Sequence, residues 1–451
     1  MKSLHLNMFK KINYTAAVLA LLFGTAAKAQ VTTQSPYSRY GLGNIKPLIL
    51  PQYKAMGGVS TAIFSPTGYS NINMQNPASY AGISLTTADI GASGTIMNLK
   101  KGDASERSFN GTLNHVTLAF PVTRGSALSI GVLPYTELGY EFSNRATLTS
   151  PGGTSTEQVD YLYSGEGGLN KAYLGYGFQI GDHFRLGANA EYIFGNLMQT
   201  GSSELVNQTD EAGNSNVINA RVQSKNSIGG LSFSYGAQYN IPLNTKTSFT
   251  LGYSGSAGSN INSKRSIVAT QYLKNPGTGD EMPALDTLSN MQNPSSKMKL
   301  PMMHNFGISL QKYNVWVIGA DYRRGKWSDF SIGDVNQQLQ DTYGFSVGGQ
   351  ITPDITSIGS YWNRVDYRVG FSYDKTYVQL NNQDIKQSAI SFGFGFPLAP
   401  SPSRRSFYKI NFTTEVGKRG ALKNGLIQEN FVNFHLGFTL NDRWFQRFKF
   451  D

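Results

Sequence analysis

The sequence predicts an all-β fold: a fourteen-stranded antiparallel transmembrane β-barrel with an N-terminal plug in its lumen. Three observations carry this. Apolar and polar residues alternate with period 2 from about residue 84 onward, as half-buried strands require. The strands marked in this way number fourteen, an even count, and most reach nine residues, enough to cross a bilayer at a tilt. The composition is poor in charge without being greasy: 15% charged residues, 12% aromatic and 49 Gly among 451 residues, with a mean hydropathy of −0.29. Disorder wants high charge and few aromatics, so it is excluded. A bundle of membrane helices is excluded too, because the longest apolar run falls short of the roughly 20 residues a spanning helix needs.

The first 29 residues read as a secretory signal peptide. Lys2, Lys10 and Lys11 form a basic stretch, Ala16 to Gly24 an apolar one, and Ala27-Lys28-Ala29 a small-residue cleavage site. Cleavage before Gln30 removes four Lys and no acid, which lowers the formal charge from +11 to +7. No cluster of five or more Lys/Arg exists, so no nucleic-acid partner is expected. The chain has no Cys, which removes disulfides, Fe–S clusters and thiolate zinc sites. His5, His115, His183, His304 and His435 lack ligand spacing, and no cofactor or metal is expected.

Residues 30–83 do not alternate. Pro36, Gly41, Gly43, Pro47, Pro51, Gly57, Gly58, Pro66, Gly68 and Pro77 break strands and helices alike. A fourteen-stranded lumen is too wide for wall side chains to fill, and an empty one would leak. The segment is therefore expected to fold inside the barrel as a plug. Within it, Asn76-Pro77-Ala78 should make a tight turn near the wall, since Pro77 fixes φ and Asn76 can bond the neighbouring backbone.

The barrel itself is expected over residues 84–440, with strands at 86–98, 112–122, 126–142, 169–180, 183–196, 224–241, 246–257, 302–311, 314–324, 343–351, 364–373, 388–397, 407–416 and 430–440. One face of each strand is apolar and rich in aromatics. The other carries Gly, Ser, Asn and single charges, which suits a wet lumen. Connections after strands two, four, six and eight are short, and those after one, three, five and seven are longer. That alternation is the habit of outer-membrane barrels, although links 352–363 and 398–406 exceed it. A soluble sandwich or propeller would also alternate, but no blade-length repeat recurs. Residues 441–451 are expected to be a periplasmic tail.

Two places in the barrel draw functional attention. In the third strand Leu128, Ile130 and Val132 alternate cleanly, and Pro134 then falls on the same lipid-facing parity. Proline has no N–H to give a ladder, and a closed barrel has no edge on which to hide the defect. A kink or bulge that parts this strand from a neighbour, opening the wall sideways, is the expected relief. The link 258–301 is unusually apolar for an exposed loop. Its Ile267, Tyr272, Leu273, Met282, Leu285, Met291 and Met298 are expected to form a surface that captures hydrophobic ligands. No catalytic site is expected. The one G-x-S-x-G stretch, Gly344 to Gly348, lies inside a predicted strand and not at a strand–turn–helix elbow. His115 and His435 face the lumen by parity, as wall residues.

The stretch Tyr53 to Gly82, with Ala55-Met56-Gly57-Gly58 and Asn76-Pro77-Ala78, resembles the plug motif of the FadL/TodX-type outer-membrane transport family. Leu300-Pro301, Gly307, Trp316, Asp321-Tyr322 and Trp327-Ser328 follow that family's order as well. Tyr367 to Phe371 and the tail Leu440 to Phe445 are similar to Bacteroidetes members. Two departures stand out: Ile63-Phe64-Ser65-Pro66 replaces a small-acidic stretch, and Asp451 rather than an aromatic ends the chain. The resemblance implies a Gram-negative outer-membrane channel for hydrophobic small molecules, of the long-chain fatty acid or aromatic hydrocarbon class. It further implies ligand capture at extracellular loops, passage through a plugged barrel, and a kink in the third strand that serves as a side exit. A monomer is expected, set among outer-membrane lipid and lipopolysaccharide and inserted by the barrel-assembly machinery. An alternative is a PorV-type barrel that acts as a structural or cargo-binding partner of a secretion system.

Overall fold

The computed structural model describes residues 35–443, apart from 65–66, 150–155, 207–216, 276–277, 293–294, 334 and 400–405. The expected signal peptide and residues 444–451 of the expected tail lie outside the described residues. Fourteen strands form one antiparallel ring. In chain order they are β1 (Thr86–Lys101), β2 (Ala104–Thr123), β3 (Ser126–Thr149), β4 (Thr156–Ile180), β5 (Phe184–Leu205), β6 (Asn219–Pro242) and β7 (Thr247–Ser256). There follow β8 (Met303–Lys312), β9 (Trp316–Gly325), β10 (Thr342–Ile351), β11 (Asp366–Leu380), β12 (Gln383–Pro397), β13 (Phe407–Gly420) and β14 (Gln428–Asp442). β14 closes on β1 from Thr86↔Asp442 to Lys100↔Gln428. Closure pairs the edges that an open sheet would leave bare.

All fourteen expected strands are present, and the wall has the inverted polarity of a barrel in lipid. Ile318, Val369 and Leu436 point outward and are 58%, 61% and 53% exposed, whereas Asp321, Arg368 and His435 point inward at 4%, 6% and 4%. Water would penalise so much apolar surface, but hydrocarbon requires it. Aromatic rings pair across strands on the outer face, as Phe345 does with Phe371 at 6.1 Å and Tyr408 with Phe438 at 6.1 Å.

Several strand ends differ from expectation. The first link is no long loop: β1 and β2 run on to a turn at Gly102-Asp103. The residues between, such as Lys100 and Ser105, are too polar to mark a strand by alternation, yet they pair as a hairpin. β11 and β12 likewise meet at Asn381-Asn382, both at positive φ (49° and 59°), which matches the right-handed twist of the flanking strands. β14 continues through Asn441 to Asp442, so the expected tail boundary at 441 falls inside a strand.

The ring is uneven in height. β3 to β6 contain 24, 25, 22 and 24 residues, and β7 to β10 contain 10 each. Where β7 stops, the loop strand Ser259–Tyr272 takes over pairing with β6, from Asn219↔Tyr272 to Gly229↔Asn262. Two further loop strands, Asp286–Gln292 and Ser296–Leu300, pair with it in turn. Most of the long link after the seventh strand is therefore raised wall.

Residues 35–64 and 67–85 run inside the ring. They touch it on all sides, at Gly139 of β3, Ala237 of β6, Tyr253 of β7, Asp321 of β9, Ser391 of β12, Thr413 of β13 and Asn441 of β14. Their apolar side chains Tyr53, Met56, Val59, Ile63, Ile72 and Tyr80 form a buried cluster with Leu133, Tyr173 and Val317 of the wall. Each such burial is worth about 1.5–3 kcal/mol, which holds an otherwise irregular segment in place.

Candidate functional site

The inner segment lies against the wall at points where the wall has no side chain. A short helix, Pro51–Lys54, begins on proline and turns at Gly57 and Gly58, whose φ values are 70° and 89°. A Cβ on Gly57 would stand 2.6 Å from the Phe371 carbonyl oxygen, and one on Gly370 would stand 2.1 Å from the Gly57 nitrogen. Two backbones touch here, and the Gly57 amide donates to Ser391 Oγ at 2.9 Å. Met56 sits beside them, its carbonyl oxygen against Gly348. Asn76 caps the 3-10 helix Pro77–Gly82 by accepting from the Ala78 amide at 3.1 Å. Its Nδ2 donates to the Thr61 carbonyl at 2.7 Å and approaches those of Ala237 and Tyr253. Gly187 and Gly236 make room for Pro77 and Asn76 on that side. The predicted motif residues are thus two separate anchors, one on β10 to β12 and the other on β5 to β7.

A third anchor was not foreseen. Asp321 Oδ2 accepts from the Ser60 amide, the Thr61 amide and the Thr61 hydroxyl, each at 2.9 Å. Other inward charges pair across the wall. Asp366 meets Arg368 at 2.6 Å and Lys409 at 2.8 Å, Lys171 meets Glu191 at 2.7 Å, and His115 meets Asp89 at 2.6 Å. Glu415 meets His435 at 2.6 Å and lies 3.9 Å from Lys54. Burial lowers the Lys54 amine, against the pull of the Glu415 carboxylate. Period-2 parity places His115, Glu191, Asp366, Arg368 and His435 on the inward face, but the pairing of these charges depends on strand register.

Between residues 43–49 of the inner segment and the wall lies a cavity of about 330 Å³. Ile45, Leu48, Ile49, Met303, Trp327 and Tyr377 supply apolar lining, with Lys171, Glu191, Arg323 and Arg419 at its charged places. Trp327 stacks near Tyr377 at 4.8 Å, and its buried Nε1 has no partner among the described residues.

Beside this cavity the wall is interrupted. Pairing of β2 with β3 runs from Thr123↔Ser126 to Val116↔Val132 and goes no further. Beyond it β2 stays paired to β1, and β3 to β4, out to their hairpins. Pro134 stands two residues past the last β2–β3 pair, and the register of β3 on β4 shifts between Pro134 and Thr136. β2 carries a matching shift opposite Gly91/Ala92. The β2–β3 ladder ends beside these two bulges, where an extra residue disrupts local pairing. The inner side of the β3 edge is taken up by the N-terminal segment. Asn44 and Ile45 pair with Glu137 and Thr136, the Lys46 amide donates to the Tyr135 carbonyl at 2.9 Å, and the Ser35 amide to Gly139 at 3.0 Å. Across the gap, Asn110 Nδ2 donates to Glu137 Oε1 at 3.1 Å, and Lys46 pairs with the same carboxylate.

The seven apolar residues chosen from the long link are not gathered in one patch. Met298 is wholly buried in the upper core, and Tyr272 is buried with its hydroxyl on Glu204 at 2.7 Å. Ile267 and Met291 are cross-strand partners. Met282, Leu285 and Met291 are exposed, and Leu273 lies half-buried beside Met282, whose amide donates to its carbonyl at 2.8 Å. Among the described residues no helix is long and apolar enough to cross a membrane, and no cluster of His, Asp and Glu is arranged to hold a metal.

A family model, BamG, matches residues 8–451. No curated protein matches the sequence. Solved structures do. A Pseudomonas aeruginosa FadL homologue superposes with a TM-score of 0.55 at 12% identity, over 89% of this chain and 100% of its own. The Ralstonia pickettii toluene transporter TbuX gives 0.52 at 13%, over 88% and 98%. The Pseudomonas putida toluene transporter TodX gives 0.51 at 13%, over 89% and 98%. The likeness is one of fold.

Proposed function

The chain belongs to the BamG family and has the fold of a FadL-like outer-membrane barrel, and from these premises we propose that it is an outer-membrane channel for hydrophobic small molecules. The observation that carries the proposal is the interruption between β2 and β3 beside a partly apolar internal cavity. A closed wall would force a hydrophobic molecule through water, whereas a side opening releases it into hydrocarbon. On this reading the tall hairpins stand outside the cell, and Met282, Leu285 and Met291 collect the ligand there. Residues 30–83 act as the plug, and the ligand leaves near Pro134 when residues 35–46 let go of the β3 edge. Long-chain fatty acids and aromatic hydrocarbons are the substrate classes that fit an amphipathic cavity of this size. The chain is read as a non-enzyme: Ser346 of the G-x-S-x-G stretch sits in mid-strand and accepts from Arg323 at 2.8 Å.

Uptake of radiolabelled oleate and toluene by cells depleted of the chain tests this. Uptake of at least one probe should fall severalfold and return when the chain is restored. Equal uptake of both probes with and without the chain would refute it.

A further inference from the structure

We propose that the outer wall of the barrel carries a binding groove for the lipid A portion of lipopolysaccharide. The groove crosses β11 to β14, β1 and β2 and has a volume of about 590 Å³. Strand register explains its shape. Ile96, Val432, Val416 and Ile390 lie directly opposite one another on four successive strands and form an apolar floor. Two residues nearer the hairpins, the next outward row is Arg107, Asn98, Asn430, Lys418 and Ser388. The intervening residues Met97, Phe431 and Ala389 are buried inward at 8%, 5% and 4% exposure, so both rows face outward. Hydrophobic wall therefore gives way to cationic wall within about 7 Å along the strands. That is the change a lipid makes from acyl chain to headgroup.

The charge balance points to an anion. Among the described residues neither the Arg107 nor the Lys418 side chain has an ion-pair or hydrogen-bond partner, and Lys100 continues the outward face one row higher. Of the nearby carboxylates, Glu429 is fully buried against Arg419 and Glu415 faces His435, whereas Asp384, higher on the outer face of β12, is held by Lys375 at 3.1 Å. Arg107 and Lys418 stand three strand spacings apart, about 14 Å at the backbone. Two separated cations above one apolar cleft suit two phosphates on one multi-acylated body better than the single phosphate of a phospholipid. The assignment rests on the orientation given above, which places this rim in the outer leaflet.

Native mass spectrometry of the full chain in mild detergent, with diphosphoryl lipid A and phosphatidylglycerol as probes, tests the groove. The wild-type chain should retain lipid A in preference to phosphatidylglycerol. Arg107→Ala/Lys418→Ala should weaken that retention about thirtyfold. Val416→Trp, which fills the cleft and keeps both charges, should weaken it as well. Heat-modifiable migration on gels checks that each barrel has folded, and Arg107→Gln/Lys418→Gln replaces the first variant should it fail that check. Undiminished lipid A retention by the double variant overturns the proposal. So does equal retention of phosphatidylglycerol by the wild-type chain. These variants leave oleate and toluene uptake unchanged, so loss of the transport reading and loss of the groove are separate results.

Discussion

Asp321 accepts three hydrogen bonds through a single oxygen, two of them from the backbone of Ser60 and Thr61. Without that carboxylate two buried amides lose their partner, at about 1–3 kcal/mol each. Asp321→Ala should therefore speed hydrogen exchange at Ser60 and Thr61 by roughly 10–100-fold and leave the wall amides of β9 unchanged. Unaltered exchange at those two amides would mean that the anchor lies elsewhere. Met298 illustrates a residue whose type was informative and whose place was not. An apolar residue in a long link reads as a capture surface, yet Met298 is wholly buried between Ile261 and Ile332. Met298→Ala should cost about 2–5 kcal/mol and lower the temperature of the heat-modifiable transition. Met291→Ala, at an exposed position, should leave that temperature alone. Parity told which way a side chain points in regular strand. It could not tell what another strand, distant in sequence, would bring over it.

In β3 the local signal and the tertiary outcome are both visible. Pro134 is an anomaly in the sequence because proline cannot donate to a ladder. How far the strand stands apart from β2, and what covers its edge, depends on residues about 90 positions away in the inner segment. If the gap is the exit, holding it shut should stop traffic. A short bis-maleimide bridging Asn110→Cys and Glu137→Cys should block oleate and toluene uptake, and the natural chain has no Cys to confuse the labelling. Pro134→Val should slow uptake as well, with protection of amides in 133–139 rising as β2 and β3 pair further. Normal uptake through the bridged barrel would remove the gap from the route. The hairpin extensions of β1–β2 and β3–β4 were less legible. Outside the bilayer a strand need not alternate, because both faces meet water.

At the scale of the molecule, a segment with little regular structure lies inside the ring, held by a few anchors and a buried apolar cluster. Deleting residues 31–79 should leave a barrel that still assembles and conducts ions severalfold better in planar bilayers. Gly370→Val, which pushes a side chain into the Gly57 backbone, should shift conductance the same way without a deletion. Conductance unchanged in both would show that the segment does not obstruct the pore. Fold class, the number and order of the barrel strands, and which face of each strand points outward were legible from the residues alone, since these follow from alternation and length, properties local to each strand. Assembly of the ring settles the rest: which inward charges pair, where β2 leaves β3, which link residues are buried, and which wall glycines receive the inner segment. Those outcomes depend on register between strands and on contacts between residues far apart in the chain, and a period-2 pattern contains no information about either.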